Sequence, residues 1–169
     1  MKNIVLIGMM GCGKSTVGAL LARRLGWELV DTDQYIQRAL GRTIPDIFAH
    51  EGEAFFRAQE QLAAQALGRR EDLVIACGGG LPTREGSIAA LKGSGTVVWL
   101  RRDPGETYDS LDRSGRPLAQ QGQEDFIQRF QQREPIYRKW ADHIIDSRAS
   151  AEETAQAVWE VLQHEISHP

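Results

Sequence analysis

The sequence predicts an α/β fold, a three-layer αβα sandwich with a five-stranded parallel sheet and a mobile lid. Three observations carry this. Apolar strand-like runs alternate with helical patterns along the whole chain, which marks a parallel sheet covered on both faces. The first run, Ile4-Val5-Leu6-Ile7, lacks polar alternation, as a strand buried on both faces requires. It leads into Gly8-Met9-Met10-Gly11-Cys12-Gly13-Lys14-Ser15-Thr16. That is Gly-x-x-x-x-Gly-Lys-Ser in its required setting of strand, glycine loop and helix.

The loop implies phosphate binding. Glycines let backbone N–H groups turn inward around a polyphosphate, where a Cβ would obstruct. The helix that starts near Lys14 points its positive dipole end at the same anion. Gly11, Cys12, Gly13, Lys14, Ser15 and Thr16 are the candidate nucleotide-binding residues. Lys14 is placed to reach the β- and γ-phosphates, and the Ser15 hydroxyl to ligate Mg²⁺. A plain glycine turn between strand and helix needs neither the lysine nor this loop length. A nucleoside triphosphate and Mg²⁺ are therefore expected.

At 169 residues the chain reads as one domain. The net charge of −3 argues against a nucleic-acid partner. No apolar run approaches membrane-spanning length and no signal-peptide pattern opens the chain. A cytoplasmic protein, most simply a monomer acting on small molecules, is expected. Cys12 and Cys77 are the two cysteines and read as reduced thiols rather than a metal framework. Both follow predicted strands, which leaves open their approach at one sheet edge.

The elements follow in order. Lys2 to Ile7 is the first strand. Lys14 to Leu25 is a helix with Val17, Leu20, Leu21 and Leu25 on one face and Gly26 as its stop. Trp27 to Val30 is a second strand and ends in Asp31-Thr32-Asp33. Helices are expected over Gln34 to Leu40, from Thr43 through His50, and over Gly52 to Leu67. Leu73 to Ala76 is a third strand and runs into Cys77-Gly78-Gly79-Gly80. Arg84 to Leu91 reads as helix, and Thr96 to Leu100 as a fourth strand. Asp103, Pro104 and Glu106 form a helix start. Ser114 to Gln123 is polar, interrupted by Gly115, Pro117 and Gly122, and reads as a mobile loop. Glu124 to Trp140 is helical, with a break or kink expected at Pro135. His143 to Ile145 is the fifth strand, and Ser150 with Glu153 caps the last helix.

Right-handed crossovers put every strand's C-terminal end on one sheet edge, where ligands bind. Motifs far apart in sequence meet there. Asp31 and Asp33 lie two residues apart just beyond a strand. If the segment stays extended, both carboxylates share a face. One acid then serves Mg²⁺ and the other a substrate hydroxyl. The plainer alternative is a helix N-cap followed by a first-turn acid. Gly78, Gly79 and Gly80 either form a loose turn or admit close approach of backbone N–H groups to a ligand. Arg57, Arg116 and Arg133 are each ambiguous alone, because most arginines cover solvated helix faces. Phe55 and Phe56 would anchor the helix that carries Arg57, and Pro117 stiffens the loop at Arg116.

Taken together these residues resemble the shikimate kinase family. The resemblance rests on Gly8 through Thr16, Asp31-Thr32-Asp33, Phe55-Phe56-Arg57, Gly78-Gly79-Gly80, Arg116-Pro117-Leu118 and Arg133 through Tyr137, all in the family's order. It implies a P-loop NTPase fold of the nucleoside-monophosphate-kinase-like branch. It implies ATP-dependent phosphorylation of the 3-hydroxyl of shikimate, a step towards chorismate and the aromatic amino acids. It implies that Asp33 binds the shikimate hydroxyls and serves as base. Arg57 and Arg133, with Gly78, Gly79 and Gly80, would bind the carboxylate. Asp31 would order Mg²⁺ beside Ser15. Lys14 and Arg116 would stabilise the transferring phosphoryl, and Arg113 would pack on adenine. Acceptor-binding helices would span about 33–61, and the lid about 112–124. The segment from Asp146 to Ser150 matches only loosely, and the lid lacks a second leucine common in the family.

Other readings make different demands. A kinase of another hydroxylated acid, such as gluconate, needs the same donor half but a different acceptor pocket. A nucleoside-monophosphate kinase needs a base-reading pocket. A GTP-binding switch needs Asn-Lys-x-Asp, which the sequence lacks.

Overall fold

The computed structural model describes residues 1–110 and 122–167. Five strands form one parallel sheet in the order β2-β3-β1-β4-β5. They are β1 (Asn3–Ile7), β2 (Glu28–Asp31), β3 (Leu73–Ala76), β4 (Gly95–Arg101) and β5 (His143–Asp146). The helices are α1 (Lys14–Leu25), α2 (Thr32–Leu40), α3 (Ile44–Glu51), α4 (Glu53–Leu67), α5 (Glu85–Lys92), α6 (Pro104–Asp109), α7 (Gln123–Trp140) and α8 (Ala151–Ser167).

Strand periodicity divides the core in two. Val5, Ile7, Ile75, Val97 and Trp99 face one way and pack with residues of α4, α5 and α7. Ile4, Leu6, Val74, Val98 and Leu100 face the other way and pack with α1 and α8. Alternate residues of one strand thus serve both helical layers. The central strands β1 and β3 are fully buried. The two cysteines fall in different halves, Cys77 with the first set and Cys12 with the second. Both are buried free thiols.

Three features add to or refine the sequence expectations. The chain does not stay extended through Asp33: Asp31 is the N-cap and α2 begins at Thr32. Asp31 and Asp33 therefore do not share a strand face. Helix α7 is continuous across Pro135, so of the break or kink expected there the break does not occur. Pro135 and Gln131, the residue whose carbonyl loses its partner, are both exposed, and water can satisfy that carbonyl. Finally, α2, α3 and α4 build a small core of their own from Ile36, Ile47, Phe56 and Ala63. The rings of Phe48 and Phe56 lie 5.0 Å apart there.

The sheet order reverses at β1, whose neighbours β3 and β4 lie on either side. The crevice beyond the C-terminal ends of β1 and β3 is the switch point where ligands bind in such folds.

Candidate active site

The donor side begins at the end of β1. Gly13 is the N-cap of α1 with φ +93°, a left-handed conformation that glycine adopts without strain. A Cβ on Gly8 would lie 2.6 Å from the Leu100 carbonyl oxygen, so the loop's entry also demands glycine. The Lys14 Nζ donates to the carbonyls of Gly8 at 2.7 Å and Met9 at 2.9 Å. The Ser15 hydroxyl donates to Asp31 Oδ2 at 2.6 Å. The other Asp31 oxygen accepts the N–H groups of Asp33 and Gln34. Asp31 thus caps a helix and faces the loop at once.

The acceptor side is built around the glycine triplet after β3. Thr32 is fully buried and its hydroxyl accepts the Gly78 N–H at 2.9 Å, which ties the end of β2 to the end of β3. Each glycine makes room for a functional side chain. A Cβ on Gly78 would lie 2.7 Å from Asp33 Oδ1. One on Gly79 would lie 3.1 Å from Arg133 Nη1. One on Gly80 would collide with the Arg57 guanidinium. The triplet is therefore no loose turn. It lets Asp33, Arg133 and Arg57 converge from α2, α7 and α4. A cleft lined by Met10, Lys14, Ser15, Asp31, Asp33, Gly78 and Gly79 joins this region to the phosphate loop.

Both acceptor-side arginines are buried. Arg57 follows Phe56, whose ring lies 5.3 Å from the guanidinium carbon. Its Nη1 donates to Glu60 Oε1 at 2.5 Å and its Nη2 to Glu53 Oε1 at 3.2 Å. Burial works against the Arg57 charge, but Glu60 and Glu53 outweigh it and hold the pKa above its ordinary value. Burial pushes the Glu60 carboxyl up to about 7, with Arg57 opposing and Asp33 adding to the rise. Arg133 Nη1 lies 3.9 Å from the Met9 sulfur. Tyr137, one turn further along α7, is fully buried and donates to the Gly79 carbonyl at 2.5 Å.

This arrangement sets a phosphate loop and its Ser15–Asp31 pair against two buried guanidiniums, with Asp33 between. It can bind a polyphosphate at one end, an anionic acceptor at the other, and activate a hydroxyl in the middle. A model of the shikimate kinase family matches residues 10–163. The chain belongs to the shikimate kinase family. The shikimate kinase of Clostridium beijerinckii is 40% identical over 146 residues, which is 86% of each chain. That of Acinetobacter baylyi is 41% identical over 174 residues, 99% of this chain and 96% of the relative. Among solved structures, the shikimate kinase of Acinetobacter baumannii in complex with shikimate superposes with a TM-score of 0.93. It shares 36% identity and covers 98% of this chain and 94% of its own. The Bacillus subtilis YorR protein in complex with phosphorylated GDP shares only 16% identity at a TM-score of 0.66, a likeness of fold alone. The fold is that of a P-loop NTPase, and the chain is a kinase.

Asp31, Asp33, Arg57, Gly78, Gly79, Gly80 and Arg133 thus gather with the phosphate loop. Arg113 and Arg116, and the lid apart from its last residues, lie outside the described residues. Glu53 and Glu60 escaped sequence reasoning, while Thr32, Tyr137 and Ser147 stood inside its motifs without a role of their own. The Ser147 hydroxyl donates to the Cys12 carbonyl at 3.2 Å. Arg102 Nη1 donates to the Gly11 carbonyl at 3.2 Å. A cavity of about 210 Å³ opens where these segments meet, lined also by Arg148, Ala149 and Thr154. The i−4 and i+3 spacing of Glu53 and Glu60 about Arg57 was the available signal for those two.

Proposed function

We propose that this kinase transfers the γ-phosphoryl of ATP to the 3-hydroxyl of shikimate, with the two halves of the cleft divided as follows. The phosphate loop, Gly11 to Thr16, holds the triphosphate. Arg57 and Arg133 hold the acceptor's carboxylate, since paired guanidinium forks suit a planar anion. Asp33 orients the acceptor hydroxyl and takes its proton as the phosphoryl leaves. Lys14 moves from the loop carbonyls to the β- and γ-oxygens, and Arg116 joins from the lid to offset charge on the transferring group. Arg113 packs on the adenine. The single observation that carries this reading is the convergence of Arg57, Arg133 and Asp33 on the three glycines beside the loop.

Mg²⁺ belongs to the same reading. A hydroxyl and a carboxylate oxygen 2.6 Å apart at the mouth of a phosphate loop suit a hard cation that takes oxygen ligands. Ser15 would hold it directly and Asp31 through water. The ion would supply charge neutralisation between the phosphates. Among the described residues no group of three or more acidic, histidine or cysteine side chains is placed to hold a metal. An ion shared with nucleotide phosphates needs only one or two protein ligands.

A monomer without a nucleic-acid partner fits the net charge of −3. It also fits the large exposed apolar residues Leu62, Ile144 and Val161, which fall on three separate elements among the described residues. No described helix is long and apolar enough to cross a membrane. The cytoplasm is the proposed location.

The test is ADP release with shikimate, gluconate and a nucleoside monophosphate as acceptors. Shikimate alone should support turnover. Faster turnover with either alternative overturns the substrate assignment. Arg133→Ala should raise KM for shikimate by a hundred-fold or more, an effect of about 3 kcal/mol for a buried carboxylate that loses a partner. Arg116→Ala should lower kcat instead.

A further inference from the structure

Arg57 is not an open cation. Its Nη1 donates to Glu60 at 2.5 Å and its Nη2 to Glu53 at 3.2 Å. All three residues sit on α4, with the acids at i+3 and i−4 from the arginine. A carboxylate that binds a guanidinium fork bidentately needs two N–H groups side by side. Here one of the two terminal nitrogens already serves Glu53.

The two acids are not equivalent. The Glu60 side chain is 1% exposed, whereas the Glu53 side chain is 57% exposed. An ion pair buried on both sides is costly to break, because it strands a charge away from water. A pair with one partner in solvent is weak. Glu53 is therefore the partner that can leave. Arg57 does not need it for placement. Glu60 holds one nitrogen, the Phe56 ring lies 5.3 Å from the guanidinium carbon, and Gly80 lies close against the guanidinium. Glu53 also has somewhere to go. Arg129, one turn before Arg133 on α7, is near enough for Glu53 and Asp125 to support its charge.

We propose that Glu53 is an internal competitor for the acceptor's carboxylate: it occupies Arg57 Nη2 and must swing out before an anionic acceptor is fully held. The inference rests on the reading of Arg57 as the carboxylate's partner. It deepens that reading by making the exchange of one carboxylate for another the step that sets acceptor affinity. Until the exchange, the guanidinium stays neutralised by Glu53 from the solvent side. After it, Glu53 returns to water beside Arg129.

The exchange is tested with Glu53→Gln, which keeps size and removes charge. KM for shikimate should fall about two- to five-fold, the range that one solvent-exposed ion pair is worth. The change in kcat should stay below about two-fold, and KM for ATP should not move, since no transition-state contact is altered. Arg57→Ala alone should weaken shikimate binding strongly. In the Arg57→Ala background, Glu53→Gln should no longer change shikimate affinity. If Arg57→Ala weakens binding while Glu53→Gln leaves KM unchanged or raises it, Glu53 positions Arg57 and the proposal is overturned. If Arg57→Ala leaves shikimate affinity intact, the carboxylate reading itself falls. Glu53 is also a first-turn acid of α4, so Glu53→Asp is the second variant. It keeps the charge near the helix start but is too short for Arg57, and it should lower KM in the same direction.

Discussion

The Asp31 carboxylate serves Ser15 and the start of α2 simultaneously. Its Oδ2 accepts the Ser15 hydroxyl at 2.6 Å, while its Oδ1 accepts the N–H groups of Asp33 at 2.9 Å and Gln34 at 3.2 Å. The position of Asp33 is thereby fixed by the same group that accepts the Ser15 hydroxyl of the phosphate loop. Two substitutions separate these roles. Asp31→Asn keeps an oxygen for the cap but loses the charge. It should leave the melting temperature close to that of the parent and raise the Mg²⁺ requirement about ten-fold or more, as loss of an outer-shell ligand does. Asp31→Ala should do the same to Mg²⁺ and also destabilise the fold by about 1 kcal/mol through the lost cap. Activity titrated with Mg²⁺, together with thermal melts, checks both. Equal Mg²⁺ dependence in Asp31→Asn and parent would remove Asp31 from the metal site.

Gly80→Ala should damage the acceptor side while sparing the donor side. The new methyl would collide with the Arg57 guanidinium, which cannot retreat because Glu60 pins its other side. Overpacking of this kind costs about 1–3 kcal/mol, so KM for shikimate should rise about ten-fold or more with little change for ATP. Gly86→Ala is the control. It lies in α5, and its methyl would meet only the far end of the Gln61 side chain, 2.9 Å from Nε2. That variant should match the parent in KM and be as stable or slightly more stable.

The legible parts of this molecule were those encoded by contiguous residues. The phosphate loop, the apolar strand runs and the Ser150–Glu153 cap each depend on neighbours within a few positions, so their residue types declare them. The Ser150 hydroxyl does accept the Glu153 N–H, at 3.1 Å. Two points stayed open in the sequence for physical reasons. The Asp31–Asp33 segment allowed an extended stretch or a helix N-cap, because the two share one backbone conformation at Asp31, and only the following residue tells them apart. Pro135 suggested a break or a kink, and the helix runs on across it because exposure lets water replace the lost hydrogen bond. The partners of the arginines were hidden for another reason. Glu60 and Tyr137 look like an ordinary helix acid and an ordinary core aromatic. The i+3 spacing of Glu60 from Arg57 was local, but the burial of both side chains beside the glycine triplet comes from distant segments and no local pattern contains it.

Tyr137→Phe tests whether the Gly79 carbonyl needs its phenol. The hydroxyl donates to that carbonyl at 2.5 Å and lies 3.5 Å from the Met9 sulfur. Burial pushes the phenol up to about 12, with Arg133 opposing, so it remains a donor throughout the working pH range. Removal leaves a part-buried acceptor without this donor and should cost about 1 kcal/mol in urea denaturation. KM for shikimate should rise less than in Arg133→Ala, because the guanidinium stays. A urea midpoint equal to the parent's would show that the carbonyl finds another donor.

Glu60 predicts a pH signature in stability. Its carboxyl is raised to about 7 in the folded protein by burial, with Arg57 opposing, against an ordinary value of 4.5. One of its oxygens, Oε2, is buried with no hydrogen-bond partner among the described residues. The sign follows from proton binding. Between pH 4.5 and 7 the folded state holds this proton more tightly than the unfolded chain does. Stability from this group is therefore greatest below its unfolded pKa and declines as pH rises towards the folded value. Glu60→Gln carries no such proton. The stability of the parent relative to Glu60→Gln should accordingly shrink between pH 5 and pH 7, by on the order of 2 kcal/mol. Thermal or urea unfolding of both proteins at the two pH values measures it. A difference that stays constant or widens with pH would mean that Arg57 keeps Glu60 ionised throughout, with the ion pair outweighing burial.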